Sequence, residues 1–214
     1  MSGLTLYHHK GACSLAPLIA LEESGLDYSV EIINLATDRP GYLKVNPAGK
    51  VPALVLDGEL LTENLAILYR IASLAPAAGL LPSGLEETSR TLSLMAWFGS
   101  TVHILRRQIR MPLRFTPDAD AQAKLVEAGR PKMWEALLEM EARLGEREWF
   151  GGRAFGVADG YALVFYGWGL NDGFPMEELE KLTTWKDRML SRPAVLHAIR
   201  NDAGVLHDKL EAAA

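Results

Sequence analysis

The chain has one cysteine, Cys13, in 214 residues. A single thiol excludes an internal disulfide framework and suits a reducing compartment. Positive charge is in short supply too. Twenty-two Lys and Arg stand against 27 Asp and Glu, a net charge of −5. Broad nucleic-acid binding needs a basic surface, so that class is excluded. Long apolar runs are missing. A long stretch without a charged residue, Ile71–Leu85, holds Pro76, Gly79, Pro82 and Gly84, and reads as a linker rather than a membrane span. The opening Met1-Ser2-Gly3-Leu4-Thr5 has no basic or apolar leader region, so the expectation is no signal peptide and a cytoplasmic protein.

What is present is enough apolar content, 49%, for a sizeable core and one or two domains. The first 80 residues alternate strand and helix signals. Strands are expected at Leu4–Tyr7, Tyr28–Ile33, Ala53–Leu56 and Glu59–Leu61, the last two joined by an Asp57-Gly58 hairpin. A helix over Ser14–Glu23 ends at Gly25, which suits a left-handed cap. Another starts near Glu63, with Leu65, Leu68, Tyr69 and Ala72 at helical spacing. Beyond the linker everything reads as helix: 86–114, 119–145, 157–169, 177–191 and 194–210. The layout predicted is an α/β domain over 1–80 and an all-helical domain over 86–214.

Three segments carry chemistry. Cys13 follows the first strand and opens a helix, where unpaired N–H groups and the helix dipole favour an anion. That setting predicts a lowered thiol pKa. The second segment is Asn46-Pro47-Ala48-Gly49-Lys50-Val51-Pro52-Ala53-Leu54. A proline directly before a strand is a natural place for a cis bond, leaving the Val51 backbone free to pair with an extended peptide ligand. An ordinary loop with a trans proline is the competing reading. The third is Leu61-Thr62-Glu63-Asn64, in the first turn of a helix. Glu63 could take the ammonium of an α-amino acid and Asn64 its carboxylate, or both could simply cap the helix.

Together these segments resemble the glutathione transferases, and Gly11-Ala12-Cys13-Ser14-Leu15-Ala16 resembles the cysteine-bearing turn of the bacterial beta class. The resemblance implies a thioredoxin-like N-terminal domain, a helical C-terminal domain and a homodimer that binds reduced glutathione as co-substrate. It implies glutathione contacts from Cys13, Lys50, Val51, Pro52, Glu63, Asn64 and His103, with His103 facing the thiol across the domain cleft. On the first strand His8, not Tyr7, aligns with the tyrosine common in the family. His8 is therefore expected to face the cleft as an extra donor and Tyr7 the core. Gly156 stands where the family usually has a Ser or Thr cap, and Asp159 is expected to reach back to backbone N–H groups.

Arg106, Arg107, Arg110 and Arg114 follow His103, and 103, 107, 110 and 114 fall on one helix face. The stripe either favours anions beside the thiol or is a solvated or subunit-contact face. His8-His9 lack a companion Cys or carboxylate cluster, so no metal is expected. His197 and His207 read as surface or packing residues. The second-substrate pocket is expected from 103–115 and 161–174, with Tyr166 and Trp168 as candidate borders. The leading expectation is conjugation of glutathione to a small hydrophobic electrophile, in a detoxification role. The alternatives are a thiol transferase or peroxidase working through a Cys13 mixed disulfide, and a non-catalytic adaptor.

Overall fold

The computed structural model describes residues 3–202, 204 and 206–208. The N-terminal part is a four-stranded sheet in the order β2-β1-β3-β4. The strands are β1 (Leu4–His8), β2 (Ser29–Ile32), β3 (Ala53–Leu56) and β4 (Glu59–Thr62). β1 runs parallel to β2 and antiparallel to β3, and β4 closes the hairpin with Leu56 opposite Glu59. Asp57 and Gly58 both have positive φ, 51° and 88°, as a two-residue hairpin turn requires.

Alternation along β1 corrects one expectation. Leu4, Leu6 and His8 share the buried face, while Thr5 and Tyr7 are only half-buried. Tyr7 packs beside Tyr42, its ring centroid 5.6 Å away. His8 therefore lies in the core and Tyr7 does not, because a strand has period two and Leu6 had already claimed the inner face.

Helix α1 (Leu15–Ser24) ends at Gly25 with φ 70°. It is apolar nearly all round, which marks a helix buried on every side. The sheet covers one side, and the later helices α7 (Val157–Asn171) and α9 (Pro193–Asp202) cover the other. Gly160 on α7 permits this approach. A β-carbon there would sit 3.3 Å from Ile19 and 3.5 Å from the Ala16 carbonyl.

A short helix that the sequence reading omits, α2 (Arg39–Tyr42), carries Pro40 in its first turn. Next comes α3 (Asn64–Leu74). The single helix expected over 86–114 is instead α4 (Leu85–Trp97), a wide turn over Phe98–Val102, α5 (His103–Arg110) and a tight turn at Pro112–Arg114. Phe98 is wholly buried against Phe150, Tyr161 and Phe165, and these long-range contacts coincide with the break. α6 (Ala119–Leu144) and α8 (Glu180–Leu190) complete the helices. Of the helix expected over 194–210, residues 203, 205, 209 and 210 lie outside the described residues.

Asp159 holds the start of α7 as expected. Its carboxylate accepts N–H bonds from Gly156 (2.9 Å), Phe150 (2.8 Å) and the Trp185 indole (2.9 Å). Burial pushes its pKa up to about 6, against the pull of those donors. The structure also explains Gly156. A β-carbon there would stand 2.9 Å from the Leu80 carbonyl, which already accepts the Val157 N–H at 3.0 Å. The linker lies too close for a Ser or Thr side chain.

Candidate active site

The Cys13 turn is fastened from both parts of the molecule. Gly11 has φ 71° and donates its N–H to Asp202 Oδ1 at 3.0 Å. Its carbonyl accepts the Trp168 indole N–H at 2.9 Å. Ser14 Oγ accepts the His9 N–H at 3.1 Å. His8, 1% exposed, sits behind this turn with Nε2 3.1 Å from Asp202 Oδ1. It is absent from the lining of both cavities that meet at Cys13.

Cys13 is 7% exposed, and its Sγ–H donates to the Val51 carbonyl across 3.6 Å. Burial pushes the thiol up to about 11. A hydrogen bond from Asn64, one from the backbone and the positive charge of Arg107 pull it back only in part, and Glu63 adds a smaller push upward. The lowered pKa expected from the helix terminus is thereby overturned: desolvation of the charged form outweighs the local donors.

The Val51–Pro52 bond is cis. The loop before it is held by Tyr42 Oη (2.6 Å) and Asn46 Nδ2 (2.7 Å), both donating to the Lys50 carbonyl. At the start of α3, Glu63 has φ 70°, a strained value for a residue with a side chain. Asn64 Nδ2 donates to the Cys13 carbonyl at 3.2 Å. Its Oδ1 is buried and has no hydrogen-bond partner among the described residues. An orphaned buried acceptor costs roughly 1–3 kcal/mol, which a ligand N–H would recover.

Two cavities share the Cys13 rim. The smaller, about 210 Å³, is lined by Pro52, Glu63, Asn64 and Tyr161. The larger, about 500 Å³, is lined by Lys10, Arg106, Arg110, Arg114, Met111 and Trp168. Cys13, Lys50, Val51, His103 and Arg107 border both. The expected glutathione contacts are thus brought together, and His8 is not among them. His103 packs edge-on against Trp168 with centroids 5.1 Å apart. Burial, with Arg107, Arg106 and Lys50 nearby, lowers its pKa to about 4 and keeps it neutral near pH 7.

Trp168 borders the larger cavity. Tyr166 turns away from it, and its hydroxyl lies 3.2 Å from Thr183 Oγ1. Tyr161 opens the 161–174 segment expected to build the second-substrate pocket, but it lines the smaller cavity instead, a place the sequence reading missed. Its signal was the i, i+4, i+7 spacing of Tyr161, Phe165 and Trp168 on one face of α7. Lys10 and the 34–36 segment were missed as well. Among the described residues, no group of three or more His, Cys, Asp or Glu is placed to hold a metal ion.

Comparison with known proteins agrees with this geometry. Residues 2–73 match the glutathione S-transferase N-terminal domain, and 104–193 match the C-terminal domain. Glutathione S-transferase GstA of Escherichia coli O157:H7 is 32% identical, over 92% of this chain and 97% of its own length. A glutathione transferase homolog from Sulfitobacter, solved with bound glutathione, superposes with a TM-score of 0.89. It is 30% identical, over 95% of this chain and all of its own. The bacterial beta class glutathione S-transferase of Sphingomonas chungbukensis has a TM-score of 0.82 and 36% identity, covering 92% of this chain and 98% of its own. The cis proline loop, the α3 terminus and the cysteine turn thus stand on a shared scaffold from end to end, and the chain belongs to the glutathione S-transferase family.

Proposed function

We propose that this enzyme conjugates reduced glutathione to a small electrophile, with the sulfur held beside Cys13. The observation that carries the reading is the position of Cys13 on the shared rim of two cavities. The smaller has the features a γ-glutamyl peptide needs. Glu63 supplies a carboxylate for its ammonium, and Asn64 Oδ1 an unpaired acceptor for an N–H. Val51 offers backbone beside the cysteinyl part, next to Pro52, and Lys50 a cation for a carboxylate. The larger cavity receives the electrophile.

The electrostatics assign the proton work. A Cys13 thiol pushed up to about 11 stays protonated near neutral pH, so its S–H turns from the Val51 carbonyl to donate a hydrogen bond to the bound glutathione sulfur. Arg107 and Lys50 add positive potential around the sulfur anion. His103, neutral, offers one ring N–H and one ring lone pair. The glutathione thiol releases its proton to solvent. Its sulfur then forms a bond to the electrophilic carbon, and the leaving group departs with the electron pair of the bond it breaks.

The same raised pKa weighs against a mixed disulfide at Cys13, since exchange needs the thiolate. Cys13→Ala should keep at least about a third of the conjugation rate with chlorodinitrobenzene. Loss of all conjugation together with measurable disulfide exchange by the native enzyme would favour the redox reading. Calorimetric titration with reduced glutathione tests the site itself. Saturable binding supports it, and no binding at millimolar ligand leaves an adaptor as the better reading. Detoxification and a cytoplasmic homodimer complete the proposal. Support for the dimer in this chain is the exposure of two large apolar residues, Leu60 on β4 and Tyr69 on α3.

A further inference from the structure

The larger cavity, which receives the electrophile, joins apolar surface to charge of one sign. Six cations line it: Lys10, Lys50, Arg106, Arg107, Arg110 and Arg114. No Asp or Glu appears among the described residues of its lining. One carboxylate stands behind the wall. Asp172 accepts from Arg106 Nε at 2.9 Å and lies 3.6 Å from Arg110 Nε. Arg107, Arg114, Lys10 and Lys50 have no ion-pair partner among the described residues. Of the six lining cations, only Arg106 and Arg110 pair with a carboxylate among the described residues, in a protein whose net charge is −5. Glutathione as its thiolate brings a net charge of about −2, from two carboxylates, one sulfur anion and one ammonium. It would sit at the edge shared by the cavities, touching Lys50 and Arg107. Arg114 and Lys10 lie outside the smaller cavity and stay unmatched, and Arg110 shares the one Asp172 carboxylate with Arg106.

We infer that the preferred second substrate is an electrophile carrying a carboxylate on an aromatic or otherwise apolar body. The inference rests on the conjugation reading above and names its substrate class. Met111, Leu35 and the Trp168 ring offer apolar surface. The Arg106 guanidinium lies 4.0 Å over that ring and fixes it as a platform. Arg110 and Arg114 present planar forks, which match a carboxylate better than a point charge does. Placement of the anionic end on them leaves the electrophilic carbon toward Cys13. Arg114 reaches the cavity although α5 stops at Arg110, because the turn at Pro112–Arg114 continues its path.

The test compares chlorodinitrobenzene with its benzoate analogue, which adds one carboxylate to the same reactive ring. In both, the sulfur–carbon bond forms as chloride leaves with its bonding pair. The expected result at low salt is that the benzoate-derived glutathione conjugate binds about tenfold tighter than the neutral conjugate, a preference that shrinks as salt rises. Arg110→Gln combined with Arg114→Gln should reduce that preference to within about twofold and leave free glutathione affinity unchanged. Equal affinity for the two conjugates in the native enzyme would overturn the inference. So would a preference that survives in the double variant. Free glutathione affinity, measured in the same titrations, reports separately on the conjugation reading. The two free electrophiles, titrated without glutathione, read the preference independently of it.

Discussion

On the sheet side of the Cys13 cleft, the ligand-facing groups are set by the backbone: a cis peptide at Val51–Pro52, a positive φ at Glu63 and another at Gly11. On the helix side they are set by long side chains, Arg106, Arg107, Arg110 and Arg114, with His103 and Trp168. The first wall has few atoms that substitution can move without refolding the turn. The second can be rewritten residue by residue. A common peptide-like ligand on the rigid wall and a particular electrophile on the adjustable one is the division of labour this difference supports.

That comparison can be broken by attacking what anchors each wall. The largest effect is expected from Asp159→Ala, which strands two backbone N–H groups and the Trp185 indole in the core. It should cost on the order of 4 kcal/mol in urea denaturation, and a loss under about 1 kcal/mol would contradict the anchoring role. Gly156→Ser offers a better cap in isolation, yet it should destabilise by roughly 2 to 3 kcal/mol because its β-carbon meets the Leu80 carbonyl. An unchanged midpoint would mean that the linker yields.

His103 sharpens the comparison through pH. Its folded pKa of about 4 lies below the ordinary 6.5, so the unfolded chain binds the extra proton first. Stability from this group is present above pH 6.5 and is lost as pH falls through about 4. Between pH 7 and 5 the loss should be about 2 kcal/mol, and His103→Gln should flatten that part of the profile. The smallest effect is expected on the rigid wall. Asn46→Ala removes one of two donors to the Lys50 carbonyl and should cost about 1 kcal/mol, with glutathione affinity falling about fivefold. Titration calorimetry on the variant checks this, and full affinity would show that Tyr42 suffices.

Local chemistry was legible in the sequence. Asp57-Gly58 and Gly25 each announce a backbone shape that depends on their own covalent geometry, whereas the proline after Val51 left cis and trans both open. The place of His8 is also readable, because Leu4 and Leu6 set the parity of β1, and that parity contradicts the alignment of His8 with a family tyrosine facing the cleft. What was not legible depends on distant contacts. Burial of Cys13 requires Val51 and Asn64 above it. The break at Phe98–Val102 accompanies aromatic rings some 50 residues and more away. The close approach of Leu80 to Gly156 joins the linker to the start of α7. The four arginines were visible as a stripe, but their lining of the larger cavity beside Lys10 and Lys50 was not.

The double attachment of Gly11 has a consequence for synthesis. Its partners Trp168 and Asp202 lie 157 and 191 residues further along the chain. On a ribosome adding roughly 5–20 residues per second, the loop that carries the thiol is among the first segments made. It gains its last two fastenings only when α7 and α9 emerge. Until then the N-terminal sheet can form, but the turn hangs from one side; a truncation before residue 168 leaves it so, and one between 168 and 202 removes the Asp202 fastening alone.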